Sequence, residues 1–173
     1  MNQRAILNRM WAAAAAVALA LSGCGGGTGT DSPTEVTSTR RYGSLEFTLT
    51  TRRAARRGET VPITFSVTNT GGQTVNATLG PPEAISRVTR AGEEVWNCAR
   101  NKAFAGFVYD LSLAPRASKT YSLDWDQRDN EGRSVPAGVY RVHAWFTAGR
   151  LDGAAVNPET DLAADPIDLL LVE

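Results

Sequence analysis

Histidine is almost missing from this chain of 173 residues, which has one, His143, together with two cysteines, two methionines and no surplus of charge of either sign. Each scarcity removes a class of function. Without a second histidine, neither a Ser-His-Asp nucleophile nor an imidazole-based metal site can be argued, so no catalytic residue, metal ligand set or cofactor is expected. Two cysteines, Cys24 and Cys98, cannot build the disulfide framework of a small secreted scaffold. Eighteen basic against eighteen acidic side chains offer no electrostatic footprint for nucleic acid. Long hydrophobic runs are also lacking. The longest, Met10 to Leu21, has twelve residues, short of the roughly 20 that a transmembrane helix needs.

That short run sits in a telling place. Arg4 and Arg9 precede it as a basic segment, and Leu21-Ser22-Gly23-Cys24 follows it, the three parts of a secretory signal. The final four residues resemble the lipobox of bacterial lipoproteins, in which the cysteine thiol is diacylated and the signal is cut just before it. The resemblance implies a signal peptide over 1–23, lipidation at Cys24, and an extracytoplasmic protein held at the membrane of a bacterial cell envelope by its lipid anchor. Each buried methylene is worth about 0.8 kcal/mol and one chain binds only marginally, so the two acyl chains of a lipoprotein cysteine suffice. Gly25, where some bacteria place an inner-membrane Asp, makes outer-membrane delivery the expectation, the leaflet being left open. The alternative is an ordinary signal peptide cut near Cys24. With Cys24 acylated, Cys98 has no partner within the chain, and the domain must be held by its core.

Residues 25–41, GGGTGTDSPTEVTSTRR, carry Val36 as their only apolar side chain, too little to offset the entropy of ordering. They read as a flexible tether whose 17 residues span roughly 20–25 Å on average by random-coil scaling. Residues 42–173 form one domain of 132 residues, long enough for a self-sufficient core. Charge is unevenly spread along the mature chain. Arg40, Arg41, Arg52, Arg53, Arg56 and Arg57 cluster near the tether, and from Leu151 onward there are six acids and no Lys or Arg. The arginines touch anionic headgroups beside the anchor, or the first and last strands are neighbours whose charges meet, or these are simply two solvated faces.

Apolar residues alternate with polar ones through the domain, the period of half-buried strands. The rows are Leu45 to Thr50; Val61, Ile63, Phe65 and Val67; Val75, Ala77 and Leu79; Ile85 to Thr89; Glu94 to Cys98; Phe107, Tyr109, Leu111 and Leu113; Tyr121, Leu123 and Trp125; Tyr140, Val142, Ala144 and Phe146; and Ile167 to Val172. Turn chemistry separates them, notably Asn69-Thr70-Gly71-Gly72 and Ala91-Gly92. Pro62 marks a strand start or an edge. No stretch holds a helical period. The pattern predicts an all-β fold, an immunoglobulin-like antiparallel β-sandwich of about 7–9 strands, with roughly ten-residue spacing between strands. Trp96 and Trp125 are its candidate core plugs, and Gly138 permits a sharp turn into the strand of Tyr140.

The run LEFTLTTRRAARRGETVPITFSVTNTGGQTV, then Gly92-Glu93-Glu94-Val95-Trp96 with Phe104 downstream, then WDQRDNEGRSVPAGVYRVHAWF, resembles the intracellular proteinase inhibitor (BsuPI) domain family. The third segment also resembles the Ig-like domain of flagellar hook-cap proteins, a shared sandwich architecture, since the first half fits the inhibitor family alone. The resemblance covers residues 44 to about 150. It implies a non-enzymatic protein-binding domain whose partner is a proteinase or another envelope protein. The family's named activity is intracellular, whereas the signal here implies export. The second function reading is a structural Ig-like envelope module that supports assembly or surface contacts without inhibiting anything.

Two candidate sites follow. Asn97 to Gly106, NCARNKAFAG, is the candidate inhibitory loop, with Arg100 and Lys102 as side chains a trypsin-like pocket would accept; the alternative is a plain connection. Alternation in Tyr140 to Phe146 turns Arg141, His143 and Trp145 outward, a candidate partner-binding row because Trp and Arg dominate binding hot spots. The alternatives are a scattered surface aromatic or a Trp145 covered by the 147–166 segment. The acidic loop 124–132 fails the calcium-loop pattern because Arg128 falls at the third ligand position.

Overall fold

The computed structural model describes residues 34–173. The expected signal segment, the expected lipidation site Cys24 and the first part of the expected tether lie outside the described residues. Thirteen strands and one short helix follow in order: β1 (Glu35–Tyr42), β2 (Leu45–Arg52), β3 (Ala54–Arg56), β4 (Val61–Asn69), β5 (Val75–Leu79), β6 (Ala84–Arg90), β7 (Glu93–Asn97), β8 (Tyr109–Leu113), β9 (Ser118–Trp125), β10 (Gly138–Phe146), β11 (Arg150–Leu151), β12 (Ala154–Ala155), α1 (Pro158–Asp161) and β13 (Ile167–Val172). All nine alternating rows are strands: β2, β4 to β10 and β13.

The strands form three sheets, ordered β1-β2-β4-β9, β3-β13-β10-β6-β7 and β12-β11-β5-β8. Pairing is antiparallel except between β3 and β13. The first sheet faces the second, with β10 packed on β2 and β4 and β13 on β1 and β2. This is an immunoglobulin-like sandwich, and period-two alternation fills it from both sides. Leu45, Phe47 and Leu49 of β2 and Val61, Ile63, Phe65 and Val67 of β4 meet Tyr140, Val142, Ala144 and Phe146 of β10 and Ile167, Leu169 and Leu171 of β13, all buried. The Phe47 and Phe65 rings stack with centroids 6.3 Å apart. Each such Val, Leu, Ile or Phe side chain stabilises the fold by about 1.5–3 kcal/mol through burial.

Buried amides tie strand ends together. Asn69, closing β4, donates from Nδ2 to the carbonyls of Gln73 (2.7 Å) and Leu113 (2.8 Å) and accepts from the Gly71 amide at Oδ1 (3.0 Å). Gln127 donates to the carbonyls of Arg56 (2.7 Å) and Glu59 (2.6 Å) and accepts from the Gly58 amide (3.0 Å). Both amides are buried and satisfied, which avoids the cost of an orphaned polar group. Tyr140 donates its hydroxyl to the carbonyl of Pro136, four residues upstream, at 2.6 Å, the tyrosine-corner arrangement of such sandwiches. Gly138 has φ +146°, a conformation that side chains disfavour. Its open face is filled by Arg90, whose Nη2 would lie 2.9 Å from an added Cβ.

Four expectations need correction. The tether does not run to Arg41, because β1 begins at Glu35 and pairs with β2 over eight residues. Thr, Val and Ser suit an edge strand, and the ladder supplies the stability that apolar content does not. Phe107 lies outside β8 and is 57 % exposed; Gly106 before it ends the alternation. Trp96 is half-buried, and Trp125 (0 % exposed) is the plug, its ring centroid 6.3 Å from that of Trp96 and 5.7 Å from that of Tyr140. Trp145 does not face outward into solvent and is 5 % exposed. Pro62 occupies the second position of β4, the strand start expected of it. Of the readings of the charge asymmetry, neighbouring strands account for one pair, Arg57 with Glu173 at 3.2 Å beside the parallel β3/β13 pairing.

Candidate protein-binding site

The chain between β7 and β8 is built in two parts with different physics. The first, Asn97 to Lys102, is clamped. Asn97 accepts from the Ala99 amide at Oδ1 (2.9 Å), and its carbonyl accepts from the Arg100 amide (3.0 Å). From across the sandwich end, Asn130 accepts from the Asn97 amide (2.9 Å), donates its own amide to the carbonyl of Val95 (3.0 Å), and donates Nδ2 to Glu94 (3.0 Å). Glu94 also accepts from Asn97 Nδ2 (3.1 Å) and pairs with Arg100 at 3.5 Å. This network covers the outer edge of β7, which would otherwise be a template for another strand. Cys98 follows β7 rather than lying in it. Its half-buried thiol accepts the Ser86 amide at 3.2 Å, and burial pushes its pKa up, so it is a poor nucleophile.

The second part, Lys102 to Val108, is exposed throughout. Phe104, Phe107 and Val108 are 41 %, 57 % and 75 % exposed, a density of exposed apolar surface that marks contact sites. Its far end is held where the Phe107 ring meets Tyr109, centroids 5.7 Å apart. The Phe107 carbonyl also passes so close to Gly80 that an added Cβ there would lie 2.7 Å from the oxygen. A segment pinned at both ends and bare between loses little entropy on binding. Of the two expected residues, Arg100 is tied to Glu94, while Lys102 is exposed. Glu94, Asn130 and the exposed Phe107 and Val108 lie outside the loop expected from sequence, which ended at Gly106. Asn130 lies 33 residues from Asn97 and gives no local signal, whereas Gly106 before Phe107-Val108 was a readable break.

Past Val108 a second knot closes the sandwich side. Glu83 accepts from the Tyr109 hydroxyl, from Tyr121 (2.8 Å) and from Lys119. Burial works against its ionisation, but the bonds from Lys119, Tyr109 and Tyr121 outweigh that and hold its pKa below the ordinary 4.5. Burial, then bonding to Glu83, pushes Tyr109 up to about 12 and Tyr121 higher still.

The second candidate row is only partly surface. Arg141 is exposed and paired with Asp168 (2.7 and 3.3 Å), and His143 is half-buried against Thr89 Oγ1 at 3.0 Å. Trp145 is covered because residues 157–166 fold back along β10. Phe146 donates its amide to the carbonyl of Leu162 (2.9 Å), and Ala164 to that of Ala144 (3.2 Å). Arg87 caps the Trp145 ring at 5.0 Å. In the acidic loop, Asp129 accepts the amides of Glu131 and Arg133 and pairs with Arg133 at 2.8 Å, so its oxygens organise the turn. Among the described residues no cluster of His, Cys, Asp and Glu could hold a metal ion, and no helix is long and apolar enough to cross a membrane.

Against this geometry, the sequence model of the family described as BsuPI, intracellular proteinase inhibitor, matches residues 48–151. No curated protein matches the chain in sequence. Among solved structures, the CARDB domain of the PF1109 protein from Pyrococcus furiosus, in complex with di-metal ions, is 18 % identical. That match covers 82 % of this chain and 90 % of that one, with a TM-score of 0.40. A β-glucosidase from Listeria innocua is 10 % identical over 82 % of this chain and 16 % of its own, TM-score 0.41. One from Erythrobacter marinus is 17 % identical over 78 % of this chain and 16 % of its own, TM-score 0.35.

Proposed function

This chain belongs to the intracellular proteinase inhibitor (BsuPI) family, and from that premise we propose that it is an envelope-anchored lipoprotein with a protein-binding, non-enzymatic domain whose partner is a proteinase. The observation that carries the reading is the Lys102–Val108 segment, exposed throughout and pinned on both sides. Phe104 and Phe107 present the apolar surface, and Lys102 the charge, that a proteinase cleft would take up. The anchor rests on Leu21-Ser22-Gly23-Cys24 behind a twelve-residue apolar run; outer-membrane delivery belongs to the same proposal.

Incubating the protein with a panel of serine, cysteine and metalloproteinases tests the first half. Stoichiometric loss of activity of one of them is expected, weakened at least tenfold by Phe104→Ala/Phe107→Ala. Absence of inhibition across the panel would leave the second reading, a structural Ig-like envelope module. The bond from Arg100 to Glu94, which occupies a basic side chain within the protein itself, favours that second reading. For the anchor, Cys24→Ser should abolish partitioning into detergent. A Cys24→Ser protein that still partitions like wild type would end the lipoprotein assignment.

A further inference from the structure

The outer face of the β13-β10-β6-β7 sheet holds a charged groove that neither the inhibitor family nor the loop explains. Cross-strand register builds it. Arg87 on β6 stands opposite His143 on β10, and Arg141 on β10 stands between Thr89 on β6 and Asp168 on β13. Two open cavities of about 470 and 330 Å³ share Arg87 and His143. One ends at Glu94 on β7, the other at Glu159 in α1 and at Arg40 on β1.

Charge pairing here is uneven. Arg141 is used by Asp168 in a two-bond fork, and Glu94 by Arg100 and Asn130. Arg87 is not used up. Its guanidinium lies over Trp145 at 5.0 Å, its Nη1 reaches Glu159 only at 3.6 Å, and its Nε, shielded from solvent, donates to no acceptor. A shielded donor without a partner costs free energy, and an arginine held over an indole has less freedom to lose when its fork binds. Arg40 makes no ion pair among the described residues. His143 adds no positive charge, since burial and then Arg87 and Arg141 lower its pKa.

We propose that this groove is a carboxylate-binding site in which Arg87 anchors a glutamate or aspartate side chain of an extended polypeptide. The Arg87 side chain is 27 % exposed, so a carboxylate reaches its terminal nitrogens, which Glu159 engages only at 3.6 Å, and bonds to them with charge assistance. A phosphate dianion fits worse, because Glu94, Asp168 and Glu159 surround the same space. The cavities are open rather than enclosed, which suits a chain lying across the sheet better than a small molecule. The polypeptide nature of the ligand rests on the protein-binding role proposed above; recognition of the carboxylate rests on the groove alone.

His143 is the only histidine, so its ring signal in histidine-labelled, tag-free protein reports this site without assignment ambiguity. The test is a titration of that signal with the pentapeptide acetyl-Ala-Ala-Glu-Ala-Ala-amide, with its Gln counterpart, and with inorganic phosphate. The Glu peptide should shift the signal saturably and raise the His143 pKa, since a bound carboxylate offsets Arg87. The Gln peptide should do neither, and Arg87→Gln should weaken the Glu peptide at least tenfold with Arg87→Lys between. Equal shifts from the Glu and Gln peptides, no shift from either, or unchanged affinity in Arg87→Gln would overturn the proposal. A phosphate response as strong as the peptide's would overturn the carboxylate assignment. The wild-type titration stands even if Arg87→Gln misfolds. It needs no proteinase, so it can fail while inhibition succeeds, or the reverse.

Discussion

Replacing Trp125 with Ala should remove the largest single contribution to the core. The indole is fully buried between Trp96 and Tyr140, and its Nε1–H donates to the carbonyl of Arg128 at 2.8 Å. Truncating a buried Trp to Ala costs roughly 3–5 kcal/mol in lost burial and residual cavity. The lost hydrogen bond adds no more than about 1 kcal/mol, because the loop carbonyl of Arg128 can turn to water. A total of about 4 kcal/mol corresponds to a fall in Tm of roughly 10–20 °C for a domain of this size. Trp125→Phe keeps most of the apolar body and should cost less than half as much. Trp96→Ala, at a half-buried ring, should fall between zero and the Trp125→Ala value. Urea unfolding followed by far-UV circular dichroism, which does not depend on the indole removed, gives all three numbers. A Trp125→Ala loss below about 1.5 kcal/mol, or a larger loss for Trp96→Ala, would refute the assignment of Trp125 as the plug.

Glu83→Gln should lower stability at neutral pH by roughly 1.5–3 kcal/mol, the worth of charge-assisted hydrogen bonds. Because the folded pKa of Glu83 is depressed, its contribution is complete above the ordinary 4.5 and lost as pH falls below it. The gap between wild type and variant should therefore close in acid, and a gap constant from neutral pH down to acid unfolding would contradict this. Tyr109, Tyr121 and Tyr140 are all pushed above the ordinary 10.0, so ultraviolet titration should show each of these three less than half ionised at pH 10 while the fold holds. Their stabilisation is present below 10.0 and lost as pH rises through the folded values, and early ionisation of any of these three would count against it. Protein beginning at Asp31 should be more stable than protein beginning at Gly43, which lacks β1 and bares the edge of β2; equal melting temperatures would return residues 35–41 to the tether. Reductant should leave the melting temperature unchanged, since Cys98 is a free thiol.

The sandwich was legible because its signal is local and redundant. In β2 and β4 every second residue is buried without exception, and a one-residue slip would turn Phe47, Leu49 and Phe65 out into water. Where burial is one-sided and continuous, period two is enough to place a strand and its inward face. β1 escaped the same reading because Glu35 to Tyr42 has almost no apolar face to alternate. It is held by main-chain pairing to β2 and by side-chain bonds such as Thr37 to Thr50 at 2.9 Å, and polar composition at a sheet edge looks the same as polar composition in a tether. Phe107 shows the opposite error, an apolar residue in the right parity for β8 that the chain leaves bare.

Trp145 marks the deeper limit of one-dimensional reading. Parity correctly puts it on the face of β10 opposite Tyr140, Val142 and Ala144, the face it shares with Arg141 and His143. Parity cannot say whether that face meets water, because the answer depends on the distant segment 157–166. Leu162 and Ala164 are buried, and their backbone pairs with β10 beyond the point where β13 leaves it at Val142. Trp145 thus sits under a flap rather than in a contact patch, and Trp145→Ala should cost core-like stability instead of partner affinity. The consequence for binding is that the aromatic acts through Arg87: by carrying the guanidinium over its ring, it holds the partly exposed terminal nitrogens in place. The row first read as Arg141, His143 and Trp145 therefore shifts by one strand, to an arginine on β6 that no spacing rule singles out, and the aromatic becomes its support.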